Sequence, residues 1–207
     1  MTVDHVPRSW RRRGRMPELK RDRLASRAAE LAFPDAAGAA AWAPQLLDIG
    51  FGHGESLLAL AHAHPQQRLL GVEVHEPGQL GAMDRLAATD TQHVRVLPGD
   101  VVELLPLLAP GSLQLIQALH PDPWPKRRHA ARRLLSAAVL TRCAELLAAG
   151  GVLHVVVDDD TYAAGVRQVA AGLPLLPVGW APPPQTKYGR RAVAAGRTVH
   201  RIAYRKV

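Results

Sequence analysis

Nine residues constrain this chain more than any others: Leu46-Leu47-Asp48-Ile49-Gly50-Phe51-Gly52-His53-Gly54. An apolar run closes on an acid, three glycines alternate, and Glu55-Ser56-Leu57-Leu58 opens an amphipathic pattern, so the stretch reads as a strand, a tight turn and a helix. Glycine is needed where the backbone takes positive φ or lies against a ligand, because a Cβ collides there. A strand feeding a helix through such a turn belongs in an α/β fold built on a doubly wound sheet.

The ligand class follows from the spacing. A dinucleotide fingerprint is G-x-G-x-x-G, with the pyrophosphate on the helix N-terminus; here the third glycine comes one residue early. A turn without the phosphate spacing and with Asp48 in front of it suits a cationic ligand, and S-adenosylmethionine, with its sulfonium and amino group, is one. An ordinary turn that binds nothing is the alternative. Two further acids stand at strand ends. Glu73 closes the run Arg68–Val74, where a carboxylate can accept both ribose hydroxyls of a nucleoside, although an acid there serves NAD equally well. Asp100 follows the strand His93–Leu97 and is placed either to accept an adenine amino group or to cap a helix starting at Val101.

A chain of 207 residues accommodates one α/β domain. With a single cysteine, Cys143, in an Ala/Leu-rich helical pattern, an internal disulfide and a cysteine metal cluster are excluded and a buried thiol is expected. No apolar run reaches the ~18 residues of a membrane span, and no signal-peptide core follows the basic N-terminus, so a cytoplasmic protein is expected. The net charge of +8 is unevenly spread: residues 1–30, 126–133 and 187–207 hold 21 of the 26 Lys and Arg, leaving an acidic body. Such segregation fits a surface that meets a polyanion.

Arg8–Arg15 has no apolar face and reads as an arm, with Trp10 placed to stack on a base or to pin the arm. A helix is expected over Pro17–Phe33, giving residues 1–34 as arm and helix and 35–207 as the main domain. Further helices are expected over Glu55–His64, Glu76–Thr89, Arg132–Ala148 and Thr161–Ala171. Leu113–Leu119 is a strand that runs into His120-Pro121-Asp122-Pro123-Trp124-Pro125, a loop too proline-rich to be helical and stiff enough to fix Asp122. Val152–Val157 is a strand closed by Asp158-Asp159-Asp160, acids that a helix N-terminus attracts without any metal. A strand near Leu175 and an edge strand over Thr198–Tyr204 complete the pattern.

These motifs together resemble the bacterial tRNA (guanine-N7)-methyltransferases. The resemblance is carried by the glycine turn and its acid, Gly71-Val72-Glu73-Val74-His75, Gly99-Asp100, Pro121-Asp122-Pro123-Trp124 with Lys126-Arg127-Arg128-His129, Asp158 with Tyr162, Thr186-Lys187-Tyr188, and Arg12-Arg13-Gly14-Arg15. It implies a doubly wound, Rossmann-like methyltransferase sheet, mostly parallel with an antiparallel edge strand and helices on both faces. It further implies S-adenosylmethionine as cofactor, held by Asp48, Gly50, Gly52, Gly54, Glu73, Asp100 and Asp122. Asp122 is also the implied catalytic residue, and Lys126, Asp158, Thr186, Lys187 and Tyr188 are the implied substrate contacts. The partner it implies is tRNA, methylated at a variable-loop guanine, and the expected enzyme is a monomer or homodimer without metal.

The chain departs from the family pattern on the substrate side. Leu119-His120 stands for an aromatic pair, Pro125 for a histidine, Asp159 for a tryptophan and Gly189 for the glutamate that ends a Thr-Lys-Phe-Glu motif; Asp48 for glutamate is a milder change. A divergent member that binds RNA with weak or lost turnover, or that methylates another RNA, is the rival expectation. A nicotinamide-dependent reductase leaves the basic segments without a role.

Overall fold

A computed structural model describes residues 16–89, 91–179 and 186–207, without the side chain of Arg127. The arginine arm with Trp10, and Ala181–Gln185 of the Pro-rich run, lie outside the described residues. Seven strands form a mostly parallel sheet in the order β3-β2-β1-β4-β5-β7-β6, with helices around it. The chain divides into two compact units that meet in sequence between Leu108 and Ala109.

The first unit carries α1 (Glu18–Leu31), α2 (Ala36–Ala41), β1 (Leu46–Ile49), α3 (Glu55–Ala63), β2 (Leu69–Glu73), α4 (Glu76–Ala87), β3 (Val94–Pro98) and α5 (Val101–Leu104). Its three strands are parallel, β1 pairing with β2 and β2 with β3. Leu46, Leu47, Leu69, Leu70, Val94 and Val96 are buried, as expected of strands covered on both faces. The expected helix over Pro17–Phe33 is α1. It is tied to α4 where Arg23 and Arg27 reach Asp84 at 2.9 and 3.4 Å, and its exit is fixed by the Phe33 amide donating to Val96 O at 2.9 Å. The short α2 was not foreseen; its signal is Asp35, whose carboxylate caps Gly38 N at 2.7 Å.

The second unit carries β4 (Leu113–Leu119), a 3-10 turn (Arg127–Arg132), α6 (Ala137–Leu146), β5 (Leu147–Val157), α7 (Asp160–Ala170), β6 (Leu175–Pro177), α8 (Lys187–Ala194) and β7 (His200–Lys206). β4 and β5 run parallel, while β7 runs antiparallel to both β5 and β6. Three expectations are corrected here. The helix expected from Arg132 begins at Ala137 because Ser136 Oγ accepts from Val139 N, and the preceding basic stretch forms a 3-10 turn. β5 starts at Leu147, five residues early; the register shift between Leu113 and Leu115 and a positive φ of 78° at Gly150 absorb the extra length. The last strand, expected at an edge, is flanked on both sides. Cys143 is fully buried in α6, and burial pushes its thiol up to about 12, so it is inert.

The glycine turn depends on sterics. Gly50, Gly52 and Gly54 all have positive φ, of 72°, 57° and 86°. A Cβ on Gly54 would lie 2.7 Å from Ala82 Cβ in α4, whereas nothing lies within 4 Å of one on Gly50. The two substitutions should therefore separate. Gly50→Ala carries only backbone strain, about 1–2 kcal/mol, whereas Gly54→Ala adds overpacking, for a total of about 2–5 kcal/mol. Urea unfolding reads the ranking, and equal losses would show that α4 does not press on the turn.

Candidate functional site

In the first unit the strand ends gather the expected acids. Asp48 is fully buried at the end of β1 and accepts from Ser56 Oγ at 2.8 Å, so it braces the glycine turn from below. Glu73, at the end of β2, is nearly buried. Its Oε2 accepts from Gly52 N at 2.8 Å, and its Oε1 from Val74 N and His75 N at 2.8 and 2.9 Å. A carboxylate offers about four acceptor positions, so three are filled by backbone and one on Oε2 stays open. Asp100 caps α5 by accepting from Val102 N at 3.0 Å, which realises the capping alternative without excluding a ligand contact.

The same strand ends offer room for a nucleoside. The space that a Cβ on Gly50 would enter is open, and a Cβ on Gly99 would meet only Leu97 Cγ at 3.9 Å. Gly50 N donates to Val72 O at 2.8 Å and Gly99 N to Glu73 O at 3.1 Å, holding the turn and the β3 exit against β2. Open backbone flanked by a carboxylate with a spare acceptor position fits a ligand carrying hydroxyl or amino donors.

The second unit presents the Pro-Asp-Pro-Trp loop. His120 and Trp124 have positive φ, 53° and 42°, which is uncommon outside glycine and holds the loop in a conformation that needs outside support. Arg133 supplies it. Its Nε donates to Pro123 O at 2.8 Å, and its Nη2 donates to Thr161 Oγ1 at 2.8 Å and Asp159 Oδ1 at 3.1 Å. Its guanidinium also lies 4.8 Å from the ring centroid of Tyr162, and that phenol accepts from Leu135 N at 2.9 Å. One side chain thus locks the loop to the start of α7. Asp159 completes the lock by capping α7 through Tyr162 N at 2.7 Å.

Between its two prolines Asp122 is exposed, and its side chain bonds to none of the described residues. Its negative charge nonetheless acts on buried Tyr162, helping burial to push that phenol's pKa up. Trp124 carries Arg132 over its face at 5.0 Å and His129 at its edge, 5.8 Å between centroids, with Lys126 exposed beside it. Asp158, at the end of β5, is only 10% exposed and pairs with Arg197 Nε at 3.2 Å. Thr186 caps α8 by accepting from Gly189 N at 3.1 Å, and Tyr188 stands 46% exposed on that helix.

Sequence reasoning missed Arg133, Arg197 and α8 itself. Arg133 was counted with the polyanion-facing run 126–133, yet its side chain is 14% exposed and engaged with Asp159. The usable signal was the capping pattern: an acid at Asp159 starting a helix, and Thr186 three residues before Gly189.

Comparison with known proteins agrees with this geometry. Solved structures whose fold the chain shares include several methyltransferases. They include the aminoglycoside resistance methyltransferase NpmB1, with a TM-score of 0.55 and 16% identity over 90% of this chain and 93% of that one. Another is the geranyl diphosphate C-methyltransferase of Streptomyces coelicolor, with a TM-score of 0.52 and 15% identity over 98% and 90%. Residues 42–202 match the family model described as "Putative methyltransferase". Among curated relatives, the tRNA (guanine-N(7)-)-methyltransferase of Halorhodospira halophila is 40% identical over 79% of this chain and 75% of its own length, and that of Bordetella pertussis 35% over 98% and 85%. The chain belongs to the tRNA (guanine-N7)-methyltransferase family.

The Arg133 lock can be tested through pH. Desolvation raises the Asp159 pKa, but the bonds from Thr161 and Tyr162 and the Arg133 charge outweigh it and hold the folded value below the ordinary 3.8. A lowered folded pKa means that the stability contributed is present above 3.8 and is lost as pH falls through the folded value. Asp159→Asn, which keeps a cap but not the charge, should unfold more easily than wild type at pH 7. The gap should close as pH drops below 3.8. A gap independent of pH, read from melting temperatures, would contradict the ion-pair account.

Proposed function

We propose that this chain transfers the methyl group of S-adenosylmethionine to N7 of a guanine in tRNA, a variable-loop guanine, in the cytoplasm. The observation that carries the reading is an exposed carboxylate with no hydrogen-bond partner among the described residues, Asp122, on a loop held between two prolines by Arg133 and followed at once by a basic run. Membership of the family supports it.

S-adenosylmethionine, when bound, supplies an electrophilic methyl on a sulfonium. Gly50, Gly52, Gly54, Glu73 and Asp100 are the residues that would hold it, with Glu73 offering its open Oε2 position and Asp48 bracing the turn through Ser56. Guanine N7 presents a free lone pair in the major-groove edge of the base, so no side chain has to remove a proton from it. The protein's work is then alignment and electrostatics. Asp122 stabilises the positive charge that develops on the purine. Asp158, with two carboxylate oxygens at a strand end, suits the donor edge of a guanine, which must displace Arg197 to reach it. Lys126, Lys187 and Tyr188, with Thr186 at the head of α8, take the surrounding phosphates and sugars.

Two measurements test this. Mass spectrometry of tRNA nucleosides from cells with and without the gene should show 7-methylguanosine falling in its absence; unchanged levels would overturn the substrate. Calorimetry with S-adenosylmethionine should find binding weakened about 10- to 100-fold in Glu73→Ala, as expected for ~1.5–3 kcal/mol lost with a charge-assisted hydrogen bond. Binding of NADH in place of the methyl donor would defeat the cofactor assignment.

A further inference from the structure

Two of the positions at which the chain departs from its family pattern, His120 and Gly189, touch each other. A Cβ at position 189 would lie 3.2 Å from His120 Nε2, 3.5 Å from Thr186 Oγ1 and 3.8 Å from His120 Cε1, so a side chain there would press on the imidazole, which must give by a few tenths of an ångström to admit it. The backbone that carries the ring is held in place. Its residue sits at φ 53° directly ahead of Pro121, and its amide donates to Val156 O at 2.7 Å. Its Nδ1 is buried with no partner among the described residues. Burial lowers the ring's pKa, nearby Asp158 opposes that, and Arg197 and Arg201 reinforce it, so the environment favours the neutral ring. On the other side, Gly189 occupies the first turn of α8, and glycine is a poor helix residue. Gly189 is not among the glycines with positive φ, and the close approach at this position is to the ring of His120.

We propose that His120 and Gly189 are a matched pair, in which the imidazole seats the Asp122 loop against the Thr186 turn. His120 is then a positioning residue, two residues before Asp122 and in contact with the helix start that carries Thr186, Lys187 and Tyr188. The proposal rests on the roles given to those residues above. It also reverses a simple expectation: a glutamate restored at position 189 does not merely add a substrate contact, because its Cβ presses on the ring and through it on the loop of Asp122.

A four-member cycle of the full chain tests it: wild type, Gly189→Glu, His120→Asn and His120→Asn/Gly189→Glu. Asparagine is chosen because it tolerates the left-handed backbone while clearing the space of the ring. The readouts are turnover and KM with tRNA, hydrogen exchange of residues 119–126, and melting temperature. Gly189→Glu should lower turnover about tenfold, raise KM less, and speed exchange of the loop amides. In the double variant the glutamate should cost little beyond His120→Asn alone, a coupling of about tenfold and within the range found for contacting residues. Independent multiplication of the two effects would overturn the pairing, as would a Gly189→Glu protein with lower KM and unchanged loop exchange. If the wild type transfers no methyl to tRNA, the proposed function fails. The exchange and melting cycles still decide the pairing, with coupling supporting it and additivity refuting it.

Discussion

Arg133 is the interaction on which the substrate side of this protein depends. A loop with two non-glycine residues at positive φ and prolines at 121, 123 and 125 does not hold one conformation by its own hydrogen bonds, since proline has no amide to donate. Arg133 binds the carbonyl of Pro123 and, with its other nitrogen, the cap of α7, so the loop is referred to a rigid helix start. Planar, multidentate arginine suits this task better than lysine, whose single ammonium cannot reach three acceptors in fixed directions. Asp122 is left exposed on a backbone held at Pro123, and the electrostatic role proposed for it depends on that support.

The glycine turn solves a different problem by removing atoms. Gly54 lies against Ala82, and a Cβ on Gly71 would meet Phe51 and Leu57 at 2.7–3.0 Å, so these two positions serve close packing. A Cβ on Gly50 would meet nothing within 4 Å, so this position serves the turn's backbone and not its packing. Glu73 links the two functions. Its carboxylate accepts from the turn at Gly52 and from its own chain at Val74 and His75, which fixes the acid while leaving one acceptor position unfilled by these bonds.

Much of the fold was legible because local signals agreed with it. The strands Leu46–Ile49 and Leu113–Leu119, the glycine turn, and helices opened by Glu55 and Glu76 were all marked by apolar runs bounded by Gly, Pro or acids. The misplaced start of α6 has a tertiary cause. Arg132 and Arg133 are good helix formers in an alanine-rich context, yet tertiary contacts with Trp124 and Asp159 draw them out of the helix that Ser136 begins. α8 was hidden because Tyr188-Gly189 follows a proline run and reads as a loop, while Thr186 supplies the cap. The His120–Gly189 contact was beyond sequence reasoning altogether: the partners are 69 positions apart, and each alone looked like a loss.

The central claim is that Asp122 acts by position and charge rather than as a base. Single-turnover methylation of tRNA by wild type, Asp122→Asn and Asp122→Ala, followed across pH, tests it most directly. The account predicts that both variants lose about a hundredfold or more in maximal rate, as for removal of one preorganised electrostatic group, and that the wild-type rate has no limb tracking a carboxylate pKa. Full activity in Asp122→Ala, or a wild-type rate that rises with deprotonation of a carboxylate, would contradict it.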